Sequence, residues 1–392
     1  MPEPSDDPFR GLPFFGDLAR MIAGQGPLSW DAARQFALAI ATEGKPETNV
    51  DPLDRMRWSE LARVAELHVQ QATGMPVSHT GAVVEITPVT PGVWAARALD
   101  AYRPLFEKLA SALGQVPPGA ADAEDPNDQL FGNLMQMLSP MMLGMAAGSM
   151  VGHLSRRSFG QYDLPIPRPP SAEVQVVAKT VAAFADDWSL PADDLKLWVC
   201  LQELTHHTVL GVPHIRDTLQ RLIGEYVAGF RPNPNALEDK LSDLELGDPE
   251  TLPDLQRVLG DPEVLLGAMQ SPEQLALVPR LDALVAVIVG YVDHVLDVSA
   301  VRLIGSSSQI AEAARRHRVE ADQSDAFVAR LLGLTLTQAA VDRGAAFVDG
   351  VVERAGEEAL TRLWQDEKFL PTPAEVDAPG LWLARIDLPG DA

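Results

Sequence analysis

Glu203 and His206 stand one helical turn apart in the apolar run LWVCLQELTHHTVLG, residues 197–211. In a zinc peptidase helix, two histidines four residues apart bind the metal, and a glutamate beside the first polarises the attacking water. Here Gln202 and His206 hold the two ligand positions, and Glu203 holds that of the general base. An amide oxygen is neutral and weakly basic, so Gln202 is a poor zinc ligand unless other donors compensate. His207 faces away from His206 by about 100° of helix rotation and can reach back to Glu203.

A second stretch, LVAVIVGYVDHVLDVSAVRL at 284–303, places Asp293, His294 and Asp297 on a helix otherwise apolar enough to be buried. Buried carboxylates have to be paired, protonated or metal-bound. Asp293 and Asp297 share a face, and His294 with Asp297 makes another one-turn pair. Two such helices can build one polar site between them. They can equally satisfy one another as a structural network, and sequence pattern leaves both readings open. The remaining histidines carry weaker signals: His153 and His214 read as capping or core-edge residues, and His317 in ARRHRVE as part of a solvated basic turn. Cys200, on the apolar helix, reads as an inert buried thiol.

The elements that must position these residues are mostly helical. Residues 17–43 read as helix, and Asp51-Pro52 opens another with an apolar stripe at Leu61, Val64, Ala65 and His68. GAVVEITPVT at 81–90 has the β-branched content of one or two short strands. Residues 115–129, rich in Pro, Gly, Ala and acid, read as a linker. This divides the chain into an N-terminal helical region with a short β element (1–114), the linker, and a helical region from 130 to 392. The Pro-spaced stretch before Val174 reads as extended, with helix resuming near Val174, and 370–386 as a mostly irregular tail. The expected class is mainly α with a minor β element.

Composition narrows the function. There are 55 acidic against 31 basic residues, a formal charge of -24, with much of the excess in 236–267. Such a surface repels phosphate backbones and anionic lipid, arguing against nucleic-acid or membrane partners; the acidic run itself reads as solvated helix and loop. The uncharged segment 130–152 is long enough to span a bilayer, yet its Met, Ala and Gly content, diluted by polar residues, fits a tightly packed core helix better. One cysteine permits neither an intrachain disulfide nor a Cys zinc cage, and the acidic, Pro-rich start lacks a signal peptide's pattern. A cytoplasmic protein is expected.

Several stretches taken together, GPLSWDAARQFA, LSPMMLGMAAGSMVGHLSRRSFGQYDLPIPRP, LWVCLQELTHHTVLG, GYVDHVLD and LPTPAEVDAPGLWLARI, resemble the zincin-like metallopeptidase type 2 family of bacterial hydrolases. Some relatives are associated with deazaflavin-coenzyme biosynthesis. The resemblance runs in order over nearly the whole chain. It implies a zincin-like helical fold acting as one functional unit rather than separable domains, and a zinc-dependent hydrolase acting on a peptide or amide carbonyl, with Glu203 as general base and His206 as second metal ligand. Gln202 departs from the family's first histidine, and Val289 stands where a metal-binding Glu is expected. Two expectations follow: a hydrolase whose metal is held by His206 with Asp293 or His294, Glu203 being a further candidate ligand, or a metal-free binding or scaffold protein in which Glu203, His206, His207, Asp293 and His294 form a polar network; in either, Gln202, His207 and Asp297 are expected in the pocket. Neither names a protein partner.

Overall fold

The computed structural model describes residues 26–78, 80–113, 126–231, 271–319, 331–334 and 336–387, with side chains in the helix that opens at Pro126 described from 139 onward. The acidic run 236–267, the linker up to 125 and the helix expected over 17–25 lie outside these residues.

Helix α1 (Trp30–Ala41) is capped by Ser29, and α2 (Pro52–Thr73) by Asp51, whose carboxylate accepts from the Leu53 N–H at 2.7 Å. Both caps satisfy amides that a helix start otherwise leaves unpaired. The buried face of α2 is Trp58, Leu61, Ala62, Ala65 and Val69, so the apolar stripe is rotated from the expected one: Val64 is exposed and His68 half-buried. Strand β1 (Glu85–Val89) leads into α3 (Pro91–Leu113), and α4 runs Pro126–Arg157.

Strand β2 (Glu173–Val177) pairs parallel to β1 with Glu85 opposite Glu173. This corrects the reading that helix resumes near Val174: EVQVV is a strand, and helix α5 (Ala178–Asp187) follows it without a loop. Its alternating Val174 and Val176 are buried, as a strand's period of two requires. The two strands form the minor β element in an otherwise helical chain.

Helices α6 (Ala192–Gly211) and α7 (Pro213–Ala228) precede the long α8 (Pro272–Leu303), α9 (Ser307–Val319) and α10 (Gln338–Ala355). After a 3₁₀ turn at Glu357–Trp364, the end of the chain is not irregular: α11 (Pro373–Asp377) and α12 (Pro379–Ile386) each carry Pro in the first turn. Proline there costs no hydrogen bond, so the residues that suggested a tail are helix starters.

Two close crossings hold the halves of the fold. On α4, Gly144, Gly148 and Gly152 face Ser29, Ala33 and Ala37 of α1, and a Cβ on Gly148 would lie 2.2 Å from the Ala33 carbonyl oxygen. From residue 139 on, α4 packs against α1 and α3 while Met141 and Met142 remain exposed, rather than being enclosed on every side. The second crossing sets Gly290 of α8 on Gly344 of α10, where a Cβ on Gly344 would lie 1.9 Å from the Ala286 oxygen. Among the described residues α8 is the one helix long and apolar enough to cross a membrane, and 61% of that window is buried inside the fold. It packs against α10, α6, α7 and α2.

Candidate functional site

Helix α6 is buried from Leu197 to Leu210. Its polar residues therefore need partners inside the fold. Thr205 and Thr208 donate back to the Leu201 and Leu204 carbonyls, both at 2.7 Å. Cys200 is buried, and burial pushes its thiol well above the usual range, which makes it unreactive.

Glu203 and His207 face the loop 158–163, which runs between α4 and β2. The loop is held by the Val177 N–H donating to the Phe159 oxygen at 2.7 Å and by the Trp94 indole donating to the Gly160 oxygen at 3.0 Å. Glu203 Oε2 accepts from the N–H groups of Gln161 and Tyr162, at 2.9 and 3.1 Å. Asp163 accepts from the Phe159 and Gly160 N–H groups at 2.9 and 3.4 Å. Four successive amides thus end on two carboxylates. Gly160 is required by proximity: a Cβ there would lie 2.2 Å from Glu203 Cδ.

Burial, reinforced by Asp163, raises Glu203 well above the ordinary carboxylate range, and burial lifts Asp163 to about 6. Glu203 Oε1 is buried without a partner. Tyr162 bridges to the next residues of α6: its hydroxyl is 3.0 Å from His207 Nδ1, and its ring lies nearly parallel to that of His206 at 6.1 Å. Arg168 secures the loop from outside, donating to the Gln161 oxygen at 3.0 Å and the Tyr102 hydroxyl at 2.9 Å.

Gln202 and His206 lie one turn apart on the same buried helix. His206 Nδ1 lies 3.0 Å from the Gln202 carbonyl oxygen, an acceptor that fixes Nδ1 as donor and leaves the Nε2 lone pair available. Burial foremost, then the charge of Arg318, hold this imidazole down at about 4. Arg318, near the end of α9, donates from Nη1 and Nη2 to the two oxygens of Asp293 at 2.8 and 2.9 Å. This fork-to-fork pair is withdrawn from water, with side chains 15% and 14% exposed.

The structure places His206 within electrostatic reach of Asp293 and its partner Arg318, while Gln202 engages this histidine through its backbone carbonyl. Glu203 and His207 lie on a neighbouring face with Tyr162. His294 and Asp297 go elsewhere. Asp297 is exposed, 3.3 Å from Arg315, and His294 lines a separate cavity with His68. Nor is His317 a solvated residue. Its ring stacks on Phe159 at 4.6 Å and contacts Phe184, its Nε2 lies 3.1 Å from the Arg157 carbonyl oxygen, and burial holds it at about 4. His214 sits at the start of α7, its Nε2 3.5 Å from the Leu363 oxygen.

Sequence reasoning missed Arg318, Tyr162 and Asp163. A charged residue directly after a buried aromatic-contacting histidine, and a glycine between aromatic residues in SFGQYD, were the signals available.

Zinc takes three protein donors and an open position in catalytic sites, four donors in structural ones. Among the described residues no group of three or more His, Cys, Asp or Glu side chains is placed to hold a metal. Of the available donors, Gln202 is neutral, Asp293 has both oxygens committed to a guanidinium, and one Glu203 oxygen is committed to two amides. This donor set does not fit zinc.

Residues 28–383 match the family model described as zincin-like metallopeptidase. A solved structure, that of a candidate hydrolase with a novel fold from Chloroflexus aurantiacus, is 23% identical with a TM-score of 0.62; the match covers 93% of this chain and 100% of that one. At that identity it shows a shared fold. No curated protein matches. The family match spans nearly all of the chain, which belongs to the zincin-like metallopeptidase family.

Proposed function

We propose that this chain uses the zincin-like fold as a metal-free binding protein rather than as a zinc hydrolase. One observation carries the reading: the Arg318 guanidinium, bidentate on Asp293 and electrostatically coupled to His206, puts a fixed positive charge near the motif's one histidine ligand candidate. A cation entering beside it would meet repulsion and would have to displace a charge-assisted pair. Glu203 supports the same reading, because holding the 158–163 loop commits one of its oxygens to backbone amides.

The test is metal content by mass spectrometry on protein purified without chelators, comparing the wild type with His206→Ala. Substoichiometric zinc, equal in the two proteins, is expected. Near-stoichiometric zinc that disappears in His206→Ala would overturn the proposal.

A second reading, a metal-dependent hydrolase acting on a peptide or amide carbonyl, draws support from the family and from two features of α6. Glu203 Oε1 is buried and unpartnered, and His206 has the tautomer that a histidine ligand needs. It requires Arg318 to leave Asp293, and the same metal measurement decides between the two.

A further inference from the structure

Away from α6, a cavity of about 200 Å³ opens between α2, α8 and the 3₁₀ turn at Glu357. Its apolar floor includes Val295 of α8 and Leu360 of the turn, both buried. Ser299 lines it at 4% exposure and offers a hydroxyl to it. His68 and His294 form the walls, neither with a hydrogen bond to a described side chain or backbone group.

The rim carries one charge of each sign. Arg302 and Glu357 both line the cavity and both are exposed, yet they form no ion pair with each other or with any other described residue. In a chain of net charge -24, a site for a plain anion has to work against the overall field; a ligand carrying both charges does not. We infer that this cavity binds a small zwitterion, an α-amino acid with an apolar side chain. Its carboxylate is taken by Arg302, its ammonium by Glu357, its side chain by Val295 and Leu360, and the remaining polar valences by Ser299, His68 and His294. The volume is more than ten times the ~10–15 Å³ that a single water requires, which suits a small molecule and not a folded segment. This inference does not depend on whether α6 holds a metal, since neither His206 nor Glu203 lines the cavity.

L-leucine is the probe, titrated into the full chain and followed by calorimetry and by the imidazole NMR signals of His68 and His294. Saturable binding that shifts both imidazoles is expected. Arg302→Met and Glu357→Gln, both at exposed positions, should each weaken it about tenfold, the size of one charge-assisted hydrogen bond. Val298→Trp, which fills the cavity, should abolish it. The isosteres 4-methylpentanoate, which lacks the ammonium, and 3-methylbutylamine, which lacks the carboxylate, should each bind at least about tenfold more weakly. The inference is overturned if leucine gives no saturable response, if either isostere matches it, or if it binds Arg302→Met as well as the wild type. Metal content is read separately, so failure here leaves the metal-free reading of α6 standing or falling by its own test.

Discussion

Asp293 on α8 meets Arg318 on α9 with two parallel hydrogen bonds of 2.8 and 2.9 Å, and His206 of α6 feels both charges. Side chains of three helices are thereby brought into mutual electrostatic reach. Removing one partner leaves the other charged and largely desolvated, which costs more than the pair itself contributes. Arg318→Met should destabilise the fold by about 3 kcal/mol, the lower end of the range for buried pairs because some solvent reaches this one. Asp293→Leu combined with Arg318→Met should recover most of that loss. Urea denaturation of the two single variants and the double variant closes the cycle; additive losses would show that the two side chains are not coupled.

Glu203 separates a loop-holding role from a charge-bearing one. Glu203→Gln keeps a carbonyl oxygen for the Gln161 and Tyr162 amides and should change stability by less than about 1 kcal/mol. Glu203→Ala orphans the Tyr162 amide inside the fold, while the Gln161 amide keeps the Gln175 carbonyl oxygen at 3.1 Å, and should cost about 1–3 kcal/mol. Equal losses for Gln and Ala would mean that the ionised carboxylate is what the fold needs.

The pH dependence follows from four groups, with opposite signs. Asp163 and Glu203 hold their protons to higher pH folded than unfolded, so their contribution to stability is greatest in acid and falls as pH rises from about 4 through 6. His206 and His317, held at about 4, favour the neutral form in the fold, so their contribution grows as pH rises from about 4 to 6.5. The two slopes oppose each other in one window. The wild type should therefore be nearly flat between about pH 4 and 6 with respect to these groups. Glu203→Gln removes one falling component and should make stability rise with pH there. Denaturant midpoints at half-unit pH steps would show it, and a slope that turns more negative in Glu203→Gln would contradict the assignment of a raised carboxylate.

The helical class and the small β element were readable because they rest on local signals: Asp51-Pro52 before α2, β-branched residues in β1, apolar periodicity in α6 and α8. The differences between sequence and structure share a cause too. Proline-rich segments read as breaks, although Pro373 and Pro379 start helices, and EVQVV reads as part of the helix that follows it directly. For the candidate site, α6 and α8 were identifiable as polar-bearing buried helices, but partner choice was not. Arg318 lies 25 residues from Asp293 in a segment that looks like an ordinary basic turn, and Tyr162 lies 45 residues from His207. Nothing at those spacings has a periodicity to reveal it. His294, beside Asp293 in sequence, points to a different cavity because one residue on a helix is about 100° of rotation.

The glycine crossings give a stability test independent of the site. Gly148→Ala places a methyl 2.2 Å from the Ala33 oxygen, and Gly344→Ala places one 1.9 Å from the Ala286 oxygen. Each clash is against helix backbone, which cannot rotate away, so the helices must separate. Alanine's better helix propensity, worth about 1 kcal/mol, works in the opposite direction. A net loss of about 1–3 kcal/mol is expected at either position, as for other overpacked interiors. Gly305→Ala, at a glycine with open space around it, is the control and should be neutral within about 0.5 kcal/mol. Thermal unfolding of the three variants distinguishes a packing requirement from a general penalty on replacing glycine.

Restoring a metal site is the most demanding prediction, because it asks whether Arg318 or Gln202 is the decisive departure. Gln202→His supplies a second imidazole one turn from His206, and a metal ligand alone would be enough if the locality were otherwise open. It is not: the guanidinium remains, bidentate on Asp293, and its charge already depresses His206. Gln202→His by itself should therefore bind zinc no better than the wild type. Adding Arg318→Met frees the Asp293 carboxylate and removes the repelling charge, leaving the introduced imidazole, His206 and Asp293 as three donors of the types zinc accepts. The double variant should take up zinc near stoichiometry, and zinc should raise its midpoint of unfolding, because a ligand that binds only the folded state stabilises it. Zinc uptake by Gln202→His alone would assign the loss of metal to the glutamine, whereas uptake by neither variant would show that these helices do not present the three side chains to a common point.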